Sequence, residues 1–360
     1  GGKRRVVACG ALGQMDIFDS FRAPPLRLPG NVSAALDNPE RFPFVDRLLA
    51  FAQGKSLTGE SILSVEEMPF LSDHTIDGVP YHPGVMALEM FAEHSLMLCP
   101  EHALAGFEAV EFGLPIKLMK GEMKVRTVVE VKRSEGDLIW LEAHIESDLV
   151  NSKGQVLGQP RIHHKAEVRL VHKADDLTGH FVTELAASPR LGVPMAGELE
   201  LPASFIYERY FHGPRFQSHG GVLRGVGDAT SPGCDGIALM RHQLPASDQW
   251  LVESQGESVL LEALPMLIEA GFQNAGLVAM ESDGISSLPI GIGWSSLLRV
   301  PDRGENLRLR SILTGREEDG ITTHDVCVFG DDDAPVLTLK DLRLKAMGVV
   351  PEEQKFTLPR

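Results

Sequence analysis

Residues 83–98 read PGVMALEMFAEHSLML and are apolar at almost every position. A second segment of the same character, PMLIEAGFQNAGLVAM, occupies residues 265–280. Each begins with proline, which suits the first turn of a helix because the N–H it lacks would have no intrahelical partner there. A helix that is apolar on most of its faces is usually buried. The sequence therefore predicts one buried helix in each half of the chain, over Gly84–Leu98 and Met266–Met280.

The segments around these helices alternate between apolar and polar residues, as half-buried antiparallel strands do. Glu122–Lys132 and Leu138–Ile145 alternate on either side of a polar turn and predict a hairpin. Near the other end of the chain, a phase slip between Leu339 and Leu342 predicts a β-bulge. We therefore expect the α+β class with an internal duplication, in which roughly five or six antiparallel strands accompany each helix.

Aperiodic and proline-containing stretches predict where the two halves begin and end. Residues 173–203 show no sustained periodicity and contain Pro189 and Pro194, so we expect a linker there. The predicted divisions are a lead-in at 1–35, a first subdomain at 36–175, the linker at 176–203, a second subdomain at 204–350 and a tail at 351–360.

Composition excludes several classes of partner. The chain has 34 Lys and Arg against 50 Asp and Glu, a formal net charge of −16, which argues against binding to nucleic acid or to anionic membranes. No apolar run reaches the roughly 18 residues of a membrane span. The four cysteines lack CxxC spacing, which argues against a disulfide framework or a zinc site and favours a reducing cytoplasm.

The segment before the first helix, DHTIDGVPYHPG over residues 73–84, carries the first candidate functional residues. Because the helix begins at Pro83 and Gly84, its free N–H groups and the positive end of its dipole can stabilise negative charge on a carbonyl oxygen. His74 lies upstream and can reach the same place. The competing interpretation is a turn-rich connection with an ordinary hydrogen-bonded histidine.

Glu269 is the second candidate, because it is a carboxyl among apolar neighbours on the second helix. Burial penalises the charged form, so we expect a raised pKa and a protonated acid at neutral pH. Gln273, four residues further on, lies on the same helical face and can orient that carboxyl. The competing interpretation is a glutamate that reaches solvent at the edge of the helix.

The first of these segments resembles a known family. His74, Gly78 and Pro83 match the HxxxGxxxxP signature of the dehydratase domains of polyketide synthases. One such match would be a weak signal, but further likenesses follow in the second half of the chain.

Pro265, Glu269 and Gln273 look like the family's second signature, in which aspartate is usually followed four residues later by glutamine or histidine. Residues 210–217, YFHGPRFQ, are similar to the YGPxF element that opens the second half of these domains. The three motifs occur in the family's order, and the likeness spans roughly residues 40–348. Together they make the resemblance strong.

The resemblance implies a double hotdog, in which each half wraps a curved antiparallel sheet around its buried helix. It also implies an enzyme that eliminates water from a 3-hydroxyacyl thioester to give a 2-enoyl thioester. The substrate would be carried on the phosphopantetheine arm of acyl carrier protein, with no other cofactor and no metal. The implied partners are acyl carrier protein, neighbouring synthase domains and a second copy of the chain.

The family's residue roles carry over onto matching positions. The resemblance implies that His74 removes the proton alpha to the thioester and that Glu269 protonates the departing hydroxyl. It implies that the backbone N–H near Gly84 polarises the thioester carbonyl, and that Gln273 positions the acid. The remaining motif residues would shape the backbone or line the substrate channel: Gly78, Pro83, Pro265, Tyr81, Tyr210, His212, Gly213, Pro214 and Phe216.

Two positions depart from the family's pattern. Glu269 stands where aspartate is usual, and His212 stands where many modular synthases have tyrosine. The Phe-His-Gly-Pro form looks more like iterative synthases that make enediynes or polyunsaturated fatty acids. Three alternatives stay open: double-bond isomerisation, cyclisation of a poly-β-keto chain, and an inactive hotdog that serves as a docking scaffold.

Other histidines have ordinary structural interpretations. We expect His94, on the first helix, to be a hydrogen-bonded core residue. His163 and His164 are expected on a strand, with one side chain facing in and one facing out.

Overall fold

The computed structural model describes residues 26, 28–37, 42–151, 155–173, 199–223, 233–239, 261–302 and 304–358. Most of the predicted lead-in and linker, and the last two residues of the predicted tail, lie outside the described residues. The predicted domain boundaries therefore stay predictions.

Within the described residues, the first half of the chain has two α-helices and eight strands. Helix α1 spans Gly30–Leu36 and helix α2 spans Gly84–Leu98. The strands are β1 (Arg47–Ala52), β2 (Ser56–Ser64), β3 (Thr75–Ile76), β4 (Val79–Pro80), β5 (His102–Phe112), β6 (Glu122–Glu135), β7 (Leu138–Ser147) and β8 (Arg161–His172).

The second half contains the short helix α3 (Ala203–Tyr207) and the long helix α4 (Pro265–Asp283). Its strands are β9 (Leu199–Pro202), β10 (His219–Leu223), β11 (Gly233–Leu239), β12 (Ile285–Leu297), β13 (Asn306–Glu317), β14 (Ile321–Phe329) and β15 (Pro335–Val349).

Thirteen strands form one antiparallel sheet in the order β1-β2-β6-β7-β8-β5-β12-β15-β14-β13-β11-β10-β9. The first six positions come from the first half and the other seven from the second. The halves join where β5 pairs with β12, with Val110 opposite Ile292. Because the sheet is continuous across this pair, both halves belong to the same sheet. Residues far apart in sequence can therefore meet at the boundary between the halves.

Each long helix packs on the strands of its own half. Helix α2 contacts β2 and β5 to β8, and α4 contacts β10 to β15. Every residue of α2 after Gly84 is buried, as is α4 from Pro265 to Met280. The predicted pair of buried helices and the α+β class are therefore confirmed.

Local patterns also predicted details of the sheet. The hairpin is confirmed, since β6 and β7 pair with Thr127 opposite Ile145. The bulge is confirmed as well: His324 lies opposite Leu342 but Val326 lies opposite Leu339, so β15 carries one extra residue. Such agreement means that the strand register near the helices follows from local sequence.

Candidate active site

His74 lies where the first half meets the second. It follows a 3₁₀ turn at Pro69–Asp73, and its backbone forms an isolated antiparallel bridge with His212. Its Nδ1 lies 2.9 Å from the carbonyl oxygen of Tyr81. A carbonyl can only accept, so Nδ1 carries the proton and donates. The other ring nitrogen, Nε2, therefore keeps a free lone pair when the ring is neutral.

The surroundings of His74 keep it neutral. Its ring lies 5.0 Å from Phe211, 5.3 Å from Phe216 and 5.6 Å from His212, measured between ring centroids. Burial among these rings lowers the pKa of His74 to about 4, and this outweighs the opposing effect of the Glu269 charge. At neutral pH the side chain is therefore a neutral imidazole, the form that a general base requires.

Glu269 lies on α4 with 5% of its surface exposed, so the predicted burial is confirmed. Its Oε1 accepts a hydrogen bond from the Gln273 amide at 3.0 Å and lies 3.0 Å from Nε2 of His212. The predicted pKa is wrong. Burial raises it, but the charges and hydrogen bonds of His212, His74 and Gln273 together lower it below its ordinary value. The carboxylate is thus the favoured form.

Gln273 is held by a chain of hydrogen bonds that sequence reasoning missed. The backbone N–H of His219 donates to the Tyr207 hydroxyl at 2.7 Å, and that hydroxyl donates to Oε1 of Gln273 at 2.9 Å. The Gln273 amide N–H₂ then donates to the carbonyl of Phe216 at 3.0 Å as well as to Glu269. Tyr207 thereby fixes which end of the amide faces the carboxyl. No motif marks Tyr207 in the sequence.

Asp73 joins the two halves next to these groups. The backbone N–H of Gly213 donates to the carbonyl of Asp73 at 2.8 Å, and the Arg215 guanidinium lies 2.8 Å from the Asp73 carboxylate. A Cβ on Gly213 would lie 2.6 to 2.8 Å from atoms of Asp73, so this approach requires glycine. The junction therefore fixes His74 against His212. Sequence reasoning found Gly213 but neither Asp73 nor Arg215.

Helix α2 begins where the sequence predicts. Pro83 is its N-cap residue, with φ −66° and ψ 142°, and Gly84 is its first residue. A Cβ on Gly84 would lie 2.9 Å from the Phe112 ring, so the close packing of that ring explains the glycine. The role predicted for the backbone N–H near Gly84, toward a thioester carbonyl, stays a prediction.

The other motif residues are mainly structural in their contacts. Gly78 has φ 74°, a conformation that favours glycine. The Tyr210 hydroxyl donates to the backbone carbonyl of Gln273 at 2.6 Å and so fastens the 207–210 segment to α4. The remaining four are placed as follows: Tyr81 forms an isolated antiparallel bridge with Lys117, Pro265 is the first residue of α4, Pro214 begins a 3₁₀ turn, and Phe216 is fully buried beside His74.

Among the described residues of the first half, four further histidines are buried: His82, His94, His163 and His164. His94 donates from Nδ1 to the carbonyl of Met90 in its own helix at 2.7 Å, so its predicted role in the core is confirmed. His163 and His164 lie on β8, as expected, and both are buried, so neither side chain faces solvent. His163 is held by Ser147 and the Leu114 carbonyl.

His82 and His164 have buried ring nitrogens with no hydrogen-bond partner within the part of the chain described above. Burial lowers the pKa of both rings, that of His164 to about 3, so both are neutral at pH 7. His82 packs edge-on against Phe44 and Phe70, each 6.4 Å away between ring centroids. Buried polar atoms are normally satisfied, so water or a substrate group is expected beside these rings.

Comparison with known proteins relates the first half of the chain to a known domain family. Residues 43–142 match the family model of the polyketide synthase dehydratase domain. No curated protein matches the chain significantly in sequence. None of the helices within the described ranges is long and apolar enough to cross a membrane.

Solved dehydratase structures share the fold. The dehydratase domain from the CurF module of the curacin polyketide synthase superposes with a TM-score of 0.56 at 16% identity, covering 85% of this chain and 99% of that one. An isomerase-inactive variant of GphF DH1 gives 0.60 at 19% identity, covering 86% and 98%. The inactive His→Phe mutant of CurK dehydratase gives 0.54 at 16% identity, covering 85% and 97%.

The fold is therefore the double hotdog of polyketide synthase dehydratases, as predicted. The predicted resemblance to the dehydratase domains of polyketide synthases is confirmed, by sequence over residues 43–142 and by fold over most of the chain.

Proposed function

We propose that the chain is a dehydratase that removes water from a 3-hydroxyacyl thioester carried on the phosphopantetheine arm of acyl carrier protein. The observation that carries this proposal is the meeting of three groups across the two hotdogs. Neutral His74 and the Glu269 carboxyl both lie beside the ring of His212. A base (His74) and an acid (Glu269) that lie on either side of the His212 ring can act on neighbouring carbons of one acyl chain.

His74 acts as the base. Its Nε2 lone pair takes the C2 proton, while its Nδ1–H stays bonded to the carbonyl of Tyr81. That carbonyl fixes the tautomer and stabilises the imidazolium that forms. The electron pair of the C2–H bond then becomes the C2=C3 double bond as the C3–O bond breaks.

The acid side protonates the departing oxygen, which requires Glu269 to hold a proton in the reacting complex although its carboxylate is favoured in the resting protein. It consists of Glu269 and the groups bonded to its Oε1, which are the Gln273 amide and the His212 ring. The backbone N–H groups at the start of α2 are the proposed site for the thioester oxygen, because they place positive potential where enolate charge develops.

Isomerisation of the double bond is the second candidate function. The GphF DH1 variant among the similar structures is described as isomerase-inactive, which makes isomerisation a reaction to examine on this fold. The same base can remove a proton from C4 of a 2-enoyl thioester. Cyclisation has no specific observation in its favour. The scaffold alternative is disfavoured, since His74 and Glu269 meet at one ring.

Incubation of the purified protein with a 3-hydroxyacyl thioester, followed by mass spectrometry, tests the proposal. Dehydration predicts loss of one water from the substrate, whereas isomerisation of the 2-enoyl thioester leaves its mass unchanged. His74→Ala and Glu269→Ala should each lose about 10²–10⁴ in rate. Lys132→Ala is the matched control, because Lys132 pairs with Glu142 on the exposed hairpin. Full activity in either active-site variant would contradict the assignment of His74 and Glu269 as base and acid.

A further inference from the structure

We propose that Tyr207 is a positioning residue for Glu269, acting through Gln273, and that residues 350–358 hold Tyr207 in place. Residues 350–358, called the strap below, follow β15 and include most of the predicted tail. The inference rests on the proposed dehydration and adds two parts to its acid side. The family resemblance gives a role to Gln273 but none to Tyr207 or to the strap.

The side chain of Gln273 is held at both ends of its amide. The amide nitrogen donates to the carboxylate of Glu269 and to the carbonyl oxygen of Phe216, each at 3.0 Å. The amide oxygen accepts a hydrogen bond from the Tyr207 hydroxyl at 2.9 Å. Gln273 is only 1% exposed, so solvent has little access to the amide. Tyr207 is therefore the group that satisfies its buried oxygen.

The Tyr207 hydroxyl has a fixed direction. The backbone N–H of His219 donates to its oxygen at 2.7 Å, so the phenolic hydrogen is free to point at the amide oxygen of Gln273. Burial raises the pKa of Tyr207, and negative charge on Glu269 raises it as well, so the hydroxyl keeps its proton. The hydrogen bonds from His219 to Glu269 thus form one directed chain that passes through Tyr207.

Removal of the Tyr207 hydroxyl would leave two buried groups without partners. They are the N–H of His219 and the amide oxygen of Gln273, which lie on opposite sides of the lost hydroxyl. Because an unpaired buried group is costly, we expect the amide to turn toward the freed N–H. That movement withdraws the amide nitrogen from Glu269. A donor to a carboxylate lowers its pKa, so withdrawal should raise the pKa of Glu269.

The strap packs on α3, the short helix that carries Tyr207. The ring of Phe356 lies edge-on to that of Phe205, with centroids 5.1 Å apart. The Arg209 guanidinium covers the Phe205 ring at 3.6 Å from its centroid. Arg209 also donates to the carbonyl oxygens of Phe205, at 2.8 Å, and Gln354, at 3.3 Å. Arg209 therefore joins α3 to the strap.

The same strap is fastened to α4. Leu358 is 1% exposed, and its N–H donates to the Glu281 carboxylate at 3.1 Å. The side chains of Val350 and Leu358 belong to one buried cluster with Ile206 of α3 and Leu277 of α4. Helix α3 is only five residues long, too short to be stable without packing against other elements. The strap therefore holds α3 against α4.

Carbon NMR of ¹³C-labelled glutamate measures the pKa of Glu269, whose signal is the one missing from Glu269→Gln. Tyr207→Phe should raise that pKa by about one pH unit, the size expected when a hydrogen bond to a carboxylate is lost. His74 and His212, the other groups that set this pKa, are unchanged. Tyr210→Phe is the matched control, because its hydroxyl bonds a backbone carbonyl of α4, and the pKa should stay the same. An equal pKa in Tyr207→Phe and the wild type overturns the role of Tyr207.

Phe356→Ala tests the strap, because it removes the ring that packs on Phe205. It should also raise the pKa of Glu269, and adding it to Tyr207→Phe should raise the pKa no further. Phe51→Ala is the control, a partly buried phenylalanine on β1 at the opposite end of the sheet order, and should lower Tm without moving the pKa. If Phe356→Ala does not fold, Phe356→Leu gives the same comparison. A lower Tm with an unchanged pKa would mean that the strap only stabilises the fold.

Kinetics connect these shifts to the reaction. Tyr207→Phe should lower kcat by about 10- to 100-fold, with KM changed less than about threefold, because the acid is displaced rather than the bound substrate. The alkaline limb of the kcat–pH profile should move to higher pH, since a carboxyl of raised pKa keeps its proton longer. An unchanged kcat would overturn the positioning role. Absence of dehydration by the wild type contradicts the proposed function instead, and the pKa measurements stand apart from it.

Discussion

Both buried helices carry interior glutamates, and the carboxyls of Glu89 on α2 and Glu269 on α4 have opposite surroundings. Glu89 on α2 is fully buried and accepts hydrogen bonds from the backbone N–H groups of Glu262 and Ala263, at 2.9 and 2.7 Å. Burial raises its pKa to about 8. The pKa of Glu269 on α4, at a similar depth, is lowered.

The difference shows that burial alone does not set the charge of a carboxyl in this core. The backbone N–H groups around Glu89 carry no full charge, and burial prevails there. Beside Glu269, the ring of His212 can carry one, and its attraction outweighs burial. Glu89 ties α2 to the segment that leads into α4, whereas Glu269 belongs to the group that we propose transfers protons.

Exchanging each carboxyl for an amide should give the largest contrast. Glu269→Gln removes the charge beside His212 and should lower the dehydration rate by about 10²–10⁴. Glu89→Gln should leave the rate within about tenfold, because Glu89 accepts hydrogen bonds from the backbone N–H groups of Glu262 and Ala263 and has a role separate from those of His74 and Glu269. Rates from single-turnover mass spectrometry, corrected for folded fraction by circular dichroism, check both. Equal losses in the two variants would contradict the division of roles.

The contact between Asp73 and Gly213, which holds His74 close to α4, should have the next largest effect on the rate. Gly213→Ala places a Cβ within 2.8 Å of the Asp73 backbone and side chain and should push apart the segments that carry His74 and His212. We expect a loss of roughly 10- to 100-fold in kcat, since small displacements of a catalytic group have effects of this size. Gly136→Ala, in the exposed β6–β7 turn, is the control. Its Cβ has no atom within 4 Å, so only the backbone strain of φ 60° lowers stability there, and the site is not displaced.

The pH dependence of activity reports on His74, the proposed base in the first half of the chain. His74 must be neutral, and burial lowers its pKa to about 4. The value of kcat/KM should therefore stay level from neutral pH down to about 5 and fall by about tenfold per pH unit below 4. Measurement over the range in which circular dichroism shows a folded protein checks this. An acid limb near the ordinary histidine value of about 6.5 would mean that His74 is not shielded as described.

The pH dependence of stability should reveal Glu89. Its native pKa of about 8 lies above that of an unfolded glutamate, so the native state holds this proton over a range where the unfolded state has lost it. Its contribution to stability is complete at low pH and is lost as the pH rises through 8. We expect urea unfolding to show a decline on the order of 1–3 kcal/mol between pH 5 and pH 8. Glu89→Gln should reduce that decline, and an unchanged slope would assign it to other groups.

Local sequence patterns predicted much of this arrangement. Helix positions follow from apolar runs with proline at the start, and His74 and Glu269 follow from their spacing within motifs. Each of these signals lies within one turn or one strand–helix connection, where the chain itself fixes the geometry.

The rest depends on contacts between distant residues. The Asp73–Arg215 pair spans 142 positions, and the bond from Tyr207 to Gln273 spans 66. The pKa of Glu269 is wrong in the sequence prediction for the same reason, since burial could be foreseen but the approach of His212 could not. Charge partners are set by how the two hotdogs meet, and no local pattern records that.

A double-mutant cycle between His74 and Glu269 tests the central claim most directly. If both act in one step at one site, the double variant His74→Ala/Glu269→Ala should dehydrate a 3-hydroxyacyl thioester no more than about tenfold more slowly than the slower single variant. Losses that multiply, so that the double variant is slower by the product of the two single effects, would contradict a single active site built from both hotdogs.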